Sequence, residues 1–178
     1  PLWLEPARDR RRDLALGCRW TDAEAFLNKY GNEVAAVVLV SPTYHGVMSD
    51  VGSASAALAA RRAAGGWAPP LIVDEAHGAH LSFLPAPAGA LLAGADLVVQ
   101  STHKALTSFT QSAMLHLGPG TVFGDLEHSM MEALELTQSS SPNYLLLASL
   151  DAARWQFGAP RGEGRRRLAA AAEAAGAL

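Results

Sequence analysis

The chain has 178 residues, 49% of them apolar and 17% charged, with a formal net charge of −3. That fits one globular domain, or a large part of one, and argues against nucleic-acid binding through bulk positive charge. The single cysteine, Cys18, excludes an internal disulfide and fits a reducing, cytoplasmic compartment.

No metal site is expected, because thiolate ligands are lacking and the histidines show no paired spacing. No apolar run reaches the roughly 18 residues of a membrane span, and no signal peptide is expected. The clusters Arg8–Arg12 and Arg165–Arg167 read as solvated faces. The sequence opens at Pro1 and reads as a piece of a longer protein.

In chain order, Thr21 predicts a helix N-cap, with Glu24 completing a capping box and the helix running to about Tyr30. "VAAVVLV" (Val34–Val40) predicts a strand buried on both faces. "DVGSASAALAARRAAGG" (Asp50–Gly66) predicts a helix closed by glycines, and "LIVD" (Leu71–Asp74) a second buried strand. "AGALLAGA" (Ala88–Ala95) predicts a short helix, and "DLVVQS" (Asp96–Ser101) a third strand.

"SAMLHLG" (Ser112–Gly118) follows too closely for a helical crossover and predicts an antiparallel or locally returning strand. The pattern then turns helical: about Gly124–Thr137, a second helix capped by Ser141 with Pro142 first, and a third after Pro160. Strands alternating with helices imply an α/β fold with a mostly parallel sheet.

In such sheets ligands bind beyond the carboxyl ends of the strands. Three polar segments follow the predicted strands: "SPTYHG" (Ser41–Gly46), "DEAHGAH" (Asp74–His80) and "QSTHK" (Gln100–Lys104). Lys104 stands out in a chain with one other lysine, Lys29, and twelve arginines. A salt bridge tolerates arginine, whereas a covalent imine needs an amine.

An acid at one strand end and a lysine after the next strand suit pyridoxal phosphate. The lysine holds the aldehyde, and the carboxylate keeps the ring nitrogen protonated. On this reading Lys104 and Asp74 are catalytic, with His77 beside the ring or substrate. Ser101 and His103 are candidate phosphate contacts, and Ala76 is small enough to lie under a flat ring. His77 and His103 each have a structural alternative. His80 and His45 are open between site and structure, His116 reads as structural, and His128 as a surface residue. Glu75 should point away from Asp74 into a structural hydrogen bond. Tyr144 is either a site or interface residue or a helix-start staple.

"VDEAH" (Val73–His77) also matches a helicase DEAH box. That reading requires a G-x-x-x-x-G-K-[ST] loop upstream, which the sequence lacks.

"LIVDEAHGAH" and "ADLVVQSTHKALTSFTQSAMLH", with "SPTYHG" and "TQSSSPNYLLLASLDAAR" (Thr137–Arg154), resemble the Orn/Lys/Arg decarboxylases, a family of fold type I pyridoxal-phosphate enzymes. The resemblance covers about Val34 to Arg154. It implies a three-layer α/β large domain with a mostly parallel sheet. Lys104 would be the Schiff-base lysine and Asp74 the ring-nitrogen partner. Ser101 and His103 would contact the phosphate or the lysine-linked cofactor, and Thr43 would stand near its phenolic oxygen.

The implied reaction is decarboxylation of arginine, lysine or ornithine, leading to polyamines. The implied assembly is a homodimer or larger. The same lysine and aspartate serve aminotransferases and other fold type I enzymes, and an inactive truncated fragment is the alternative of another class. The expected organisation is one partial cofactor-binding large domain over 1–178, with a sheet part at about 34–118 and a helical part at about 123–178. The phosphate-binding turn and the small C-terminal domain are expected to lie outside it.

Overall fold

A small hairpin opens the chain in the computed structural model, which describes residues 1–119, 126–159 and 162–176. Strand β1 (Arg8–Asp9) pairs antiparallel with β2 (Leu14–Ala15). Asp9 accepts the backbone N–H of Arg11 and of Arg12, which turns the arginine cluster outward. Arg8 pairs with Asp13 and Arg12 with Asp9 on this exposed turn, so the cluster is a solvated face.

Helix α1 (Trp20–Tyr30) starts one residue before the expected cap. Arg19 holds the N-cap position without a side-chain cap, and Thr21 lies inside the first turn. Asp22 supplies the negative charge that suits a helix start and pairs with Arg19 at 3.0 Å. Strand β3 (Val37–Val40) follows, then α2 (Val51–Ala63). Here Asp50 caps as such a residue should, its carboxylate accepting the Ser53 N–H at 3.0 Å.

Strands β4 (Leu71–Asp74) and β5 (Leu97–Gln100) run parallel to β3. Between them, 88–95 is not the expected helix. It makes single turns, with Ala93 N–H on the Gly89 carbonyl and Ala95 N–H on that of Ala90. Gly94, at φ +93°, takes the left-handed conformation that ends them.

After β5 a single helical turn, α3 (Thr102–Ala105), carries Lys104. The chain then returns as β6 (Met114–Leu117), antiparallel to β5 as its short connection requires. The sheet order is β3-β4-β5-β6. The mostly parallel α/β fold is the one expected.

Three helices complete the described chain: α4 (Leu126–Thr137), α5 (Tyr144–Gly158) and α6 (Glu163–Gly176). Asn143, not Ser141, caps α5, its side-chain oxygen accepting the N–H groups of Leu145 and Leu146. Ser141 is used one step earlier, in a local turn with Ser139. The expected helix start at Gly124 and the break at Pro160 lie outside the described residues.

The core sits on one face of the sheet. Val37, Leu39, Leu71, Val73 and Val98 pack there against Leu27 of α1 and Val51, Ala54 and Leu58 of α2. The other face is open along β3 and at Val99, while Leu97 of β5 is buried on it. Val38 is 63% exposed, Val40 48% and Val99 37%, so β3 alternates and is not buried on both sides.

Candidate active site

The sheet decides which residues can meet. Val40, Asp74 and Val99 lie side by side in the registers of β3, β4 and β5. The ladder runs one step further, with Ser41 N–H on the Asp74 carbonyl at 3.0 Å and Glu75 N–H on the Val99 carbonyl at 2.8 Å. The three polar segments therefore leave the sheet at one edge, beyond the carboxyl ends of three parallel strands.

Asp74 ends β4 on the open face. One carboxylate oxygen accepts the Ala76 N–H at 3.0 Å, a turn that fixes the carboxylate just beyond the strand. The other oxygen engages no hydrogen bond among the described residues. The β4 ladder ends with Glu75, so Ala76 is held near Asp74 by this turn and not by strand periodicity.

His77 packs edge-on against Tyr44, with ring centroids 5.5 Å apart. These two, with Pro42, Thr43, Gly46, Met48, His80, Leu81 and Pro87, line an open cleft of about 350 Å³. Thr43 is fixed in a tight loop, its hydroxyl oxygen accepting the Val47 N–H at 3.1 Å. Burial holds the half-buried His80 below the ordinary imidazole pKa. His80, open between site and structure in the sequence, lines this cleft. Tyr44 and Met48 were not among the expected site residues, although "SPTYHG" had marked the segment of the first.

Lys104 lies on the neighbouring strand's exit. It is exposed, and no ion pair or hydrogen bond holds its ammonium among the described residues. Its backbone N–H bonds the Ser101 carbonyl at 3.1 Å, which sets the turn. The Ser101 hydroxyl makes no cap bond. His103 Nδ1 meets the Ser112 carbonyl at 2.7 Å. A carbonyl only accepts, so Nδ1 carries a proton and Nε2 is the ring atom left for a ligand. Neutral His103 then presents a lone pair at Nε2, and only the cation presents a donor there.

The Lys104 segment is braced from behind. Phe109 N–H donates to the Ser149 hydroxyl of α5 at 3.0 Å, and the Thr107 hydroxyl donates to Gln156 at 2.6 Å. Sequence reasoning missed Ser149 and Gln156, because nothing local marks a helix residue that holds a distant loop.

The expected residues thus fall into two adjacent groups. Thr43 and His77 line the cleft, and Asp74 and Ala76 lead into its His77 wall. Ser101, His103 and Lys104 stand at the end of β5 and are not part of the cleft lining. Glu75 is turned inward, 1% exposed, and accepts from Ala90 N–H and Gln100 Nε2, both at 2.6 Å. Gln100 Oε1 in turn meets His116 Nε2 at 3.0 Å. Burial pushes the Glu75 carboxyl up, partly offset by these two hydrogen bonds, and burial pulls His116 down. His45 is exposed, His128 lies 3.3 Å from Glu132 on the exposed side of α4, and Tyr144 is exposed at the start of α5. No cluster of three metal-ligating side chains occurs among the described residues. Nor is any helix among them long and apolar enough to cross a membrane.

A mostly parallel α/β sheet thus sends an acid and a lysine out at adjacent strand ends. The fold is shared with the lysine decarboxylase LdcF of Francisella novicida, at TM-score 0.62 and 22% identity, over 86% of this chain and 22% of that one. The family description "Orn/Lys/Arg decarboxylase, major domain" matches residues 1–175, and the chain belongs to that family.

Among curated proteins it is 35% identical to an arginine decarboxylase of Bacillus subtilis and 33% identical to one of Halalkalibacterium halodurans. It is 40% identical to the uncharacterized protein YaaO of Bacillus subtilis. Each match covers 86% of this chain, which spans only 30% of the length of each of these relatives.

Proposed function

We propose that this chain is the central part of the large domain of a pyridoxal-phosphate-dependent decarboxylase. Its substrate would be a basic amino acid (arginine, lysine or ornithine), on a route to polyamines. One observation carries the reading: the in-register parallel pairing of β4 and β5, which sends Asp74 and the Lys104 segment out at the same sheet edge. Family membership supports it, and the relatives named arginine decarboxylase make arginine the first substrate to test.

The donor set suits the cofactor. Asp74 keeps one carboxylate oxygen for a ring N–H, Lys104 offers an unengaged amine, the Ser101 hydroxyl offers a donor to a phosphate, and His103 leaves its Nε2 side free to face it. Ala76 and His77 would flank the ring, and Thr43 would stand near its phenolic oxygen. When bound, the cofactor supplies the sink for the electron pair left as the α-carboxylate departs.

The chain's own residues prepare that step. Asp74 would pair with the cofactor's ring N–H, and Lys104 would hold the cofactor covalently. Pro42, Met48 and Leu81 give the cleft beside His77 apolar walls. The complete protein would carry the remaining phosphate contacts and the small domain. It would work in the cytoplasm as a homodimer or larger assembly.

The test is borohydride reduction of the full-length protein with pyridoxal phosphate, followed by peptide mass spectrometry. The adduct is expected on the Lys104 peptide and absent in Lys104→Arg, because guanidinium cannot form the link. An adduct on Lys29 alone, or equal trapping by both proteins, overturns the assignment.

A further inference from the structure

The inner face of the sheet is apolar until its carboxyl end. Val37, Leu39, Leu71, Val73 and Val98 fill it, and then Glu75, Gln100 and His116 interrupt. A buried carboxylate is costly where an apolar side chain would do, so its retention calls for a reason. Desolvation is balanced here by satisfied bonds: each Glu75 oxygen takes one N–H, from Ala90 and from Gln100.

The chain of donors has one direction. The Glu75 carboxylate only accepts, so the Gln100 amide turns its nitrogen inward to it and its carbonyl toward His116. His116 Nε2 must then donate, which fixes its tautomer. Gln100 and His116 reach each other diagonally: the ladder pairs Gln100 with Met114 and Val98 with His116 on the same face.

Each member sits beside a site residue or brackets the lysine segment. Glu75 follows Asp74 directly. Gln100 precedes Ser101 directly. His116 lies on the strand that returns from the lysine segment, so Gln100 and His116 hold the two ends of the loop carrying Lys104. Gly78 and Pro42 close over Glu75 so tightly that a Cβ on Gly78 would lie 2.5 Å from Glu75 Cγ and 2.7 Å from Pro42 Cδ.

We propose that Glu75, Gln100 and His116 are positioning residues. They form a buried, one-directional hydrogen-bond chain on the face opposite Asp74, and it fixes how β4, β5 and β6 end relative to one another. It thereby sets Asp74 against the Lys104 segment without touching the cofactor. The proposal rests on the reading of Asp74 and Lys104 as the cofactor-holding pair.

The test uses the full-length protein in three forms: wild type, Glu75→Gln, and the exchange Glu75→Gln with Gln100→Glu. In the single variant the amide at position 75 keeps its carbonyl for Ala90 N–H and turns its nitrogen to Gln100, so Gln100 must flip and His116 Nε2 must accept, which reverses the chain and exchanges the His116 tautomer. The exchange keeps the original direction and the original tautomer. The amide placed at position 75 keeps its carbonyl for Ala90 N–H and donates to the carboxylate placed at position 100. That carboxylate also accepts from His116. The readouts are the dissociation constant for pyridoxal phosphate, the yield of borohydride-fixed adduct on Lys104, and, at saturating cofactor, the pH midpoint of its visible absorption.

Glu75→Gln is expected to weaken cofactor binding about tenfold and to lower the adduct yield. It is also expected to move the absorption midpoint by about half a pH unit or more, a change that lost stability alone would not produce. The exchange variant is expected to return all three toward wild type. Wild-type behaviour in Glu75→Gln, or an exchange variant as defective as the single one, overturns the proposal.

If Glu75→Gln does not fold, the exchange variant decides. A folded, cofactor-binding protein supports the chain of bonds, and one that fails to fold or to bind overturns it. Failure of wild type to trap cofactor on Lys104 sinks the functional reading and this proposal together. Normal wild-type trapping with an unaffected Glu75→Gln sinks only this proposal.

Discussion

The inner and outer faces of the sheet are built from alternate residues of the same strands, and they differ most at the strand ends that carry the polar segments. Inside, Leu71, Val73 and Val98 are fully buried against α1 and α2, and Glu75, Gln100 and His116 at the strand ends are bonded to one another. Outside, Val38, Val40 and Val99 are open, and Asp74 keeps an unengaged oxygen.

The dipeptide Asp74-Glu75 straddles the two. Consecutive side chains near a strand end point to opposite faces. One acid is therefore left available for chemistry, and its neighbour is locked into the frame. Similar residue types one position apart thus acquire different work from the pleat alone.

That contrast can be broken by substitution. The largest effect is expected inside. Leu71→Ala should cost about 2–5 kcal/mol of stability by opening a cavity, whereas Val38→Ala in the same 178-residue chain should stay within about 0.5 kcal/mol. Urea titration of both variants checks this. Equal costs would mean that the outer face is not open. In the full-length protein the cost of Val38→Ala should rise if further chain covers that face.

Next comes Asp74→Asn in the full-length protein. Loss of the carboxylate should lower decarboxylation at saturating cofactor about 10²-fold, or about 2.7 kcal/mol of transition-state stabilisation. The urea midpoint should barely move, because Asp74 faces outward. Near-normal turnover would contradict its role, and a large loss of stability would contradict its placement.

The smallest effect is in the pH dependence. Burial holds His80 and His116 below the ordinary 6.5. As pH falls below about 6.5, the unfolded chain takes up protons that the folded chain refuses. Stability is therefore full above that value and is lost as pH falls through the folded values. Glu75 acts in the opposite sense. Its folded pKa is raised above 4.5, so between 4.5 and that folded value its contribution to stability falls as pH rises. His116→Gln should flatten the acid-side loss, measured as urea midpoint against pH. An unchanged slope would show that His116 is not buried neutral.

Local pattern made much of this readable in advance. The β4 boundaries, the antiparallel return of β6 and the Asp50 helix start all follow from short-range rules that operate within a few residues. The misread points share one cause, which is competition settled by geometry. Asn143 displaces Ser141 as a cap because it stands directly before the first helical residue. Residues 88–95 have helical composition, but Gly94 in the left-handed conformation and the bond from Ala90 N–H to Glu75 tie them into turns.

The α/β class, the three polar segments at strand ends and the singular lysine were legible in the amino-acid order alone. Composition and periodicity act along the chain, and these features need nothing else. Folding in three dimensions settled that Glu75 bonds Ala90 and Gln100, that His103 keeps Nδ1 for Ser112, and that His116 extends the chain from Gln100. Those depend on register between strands and on which helices cover which face. Contacts between residues far apart in sequence set both.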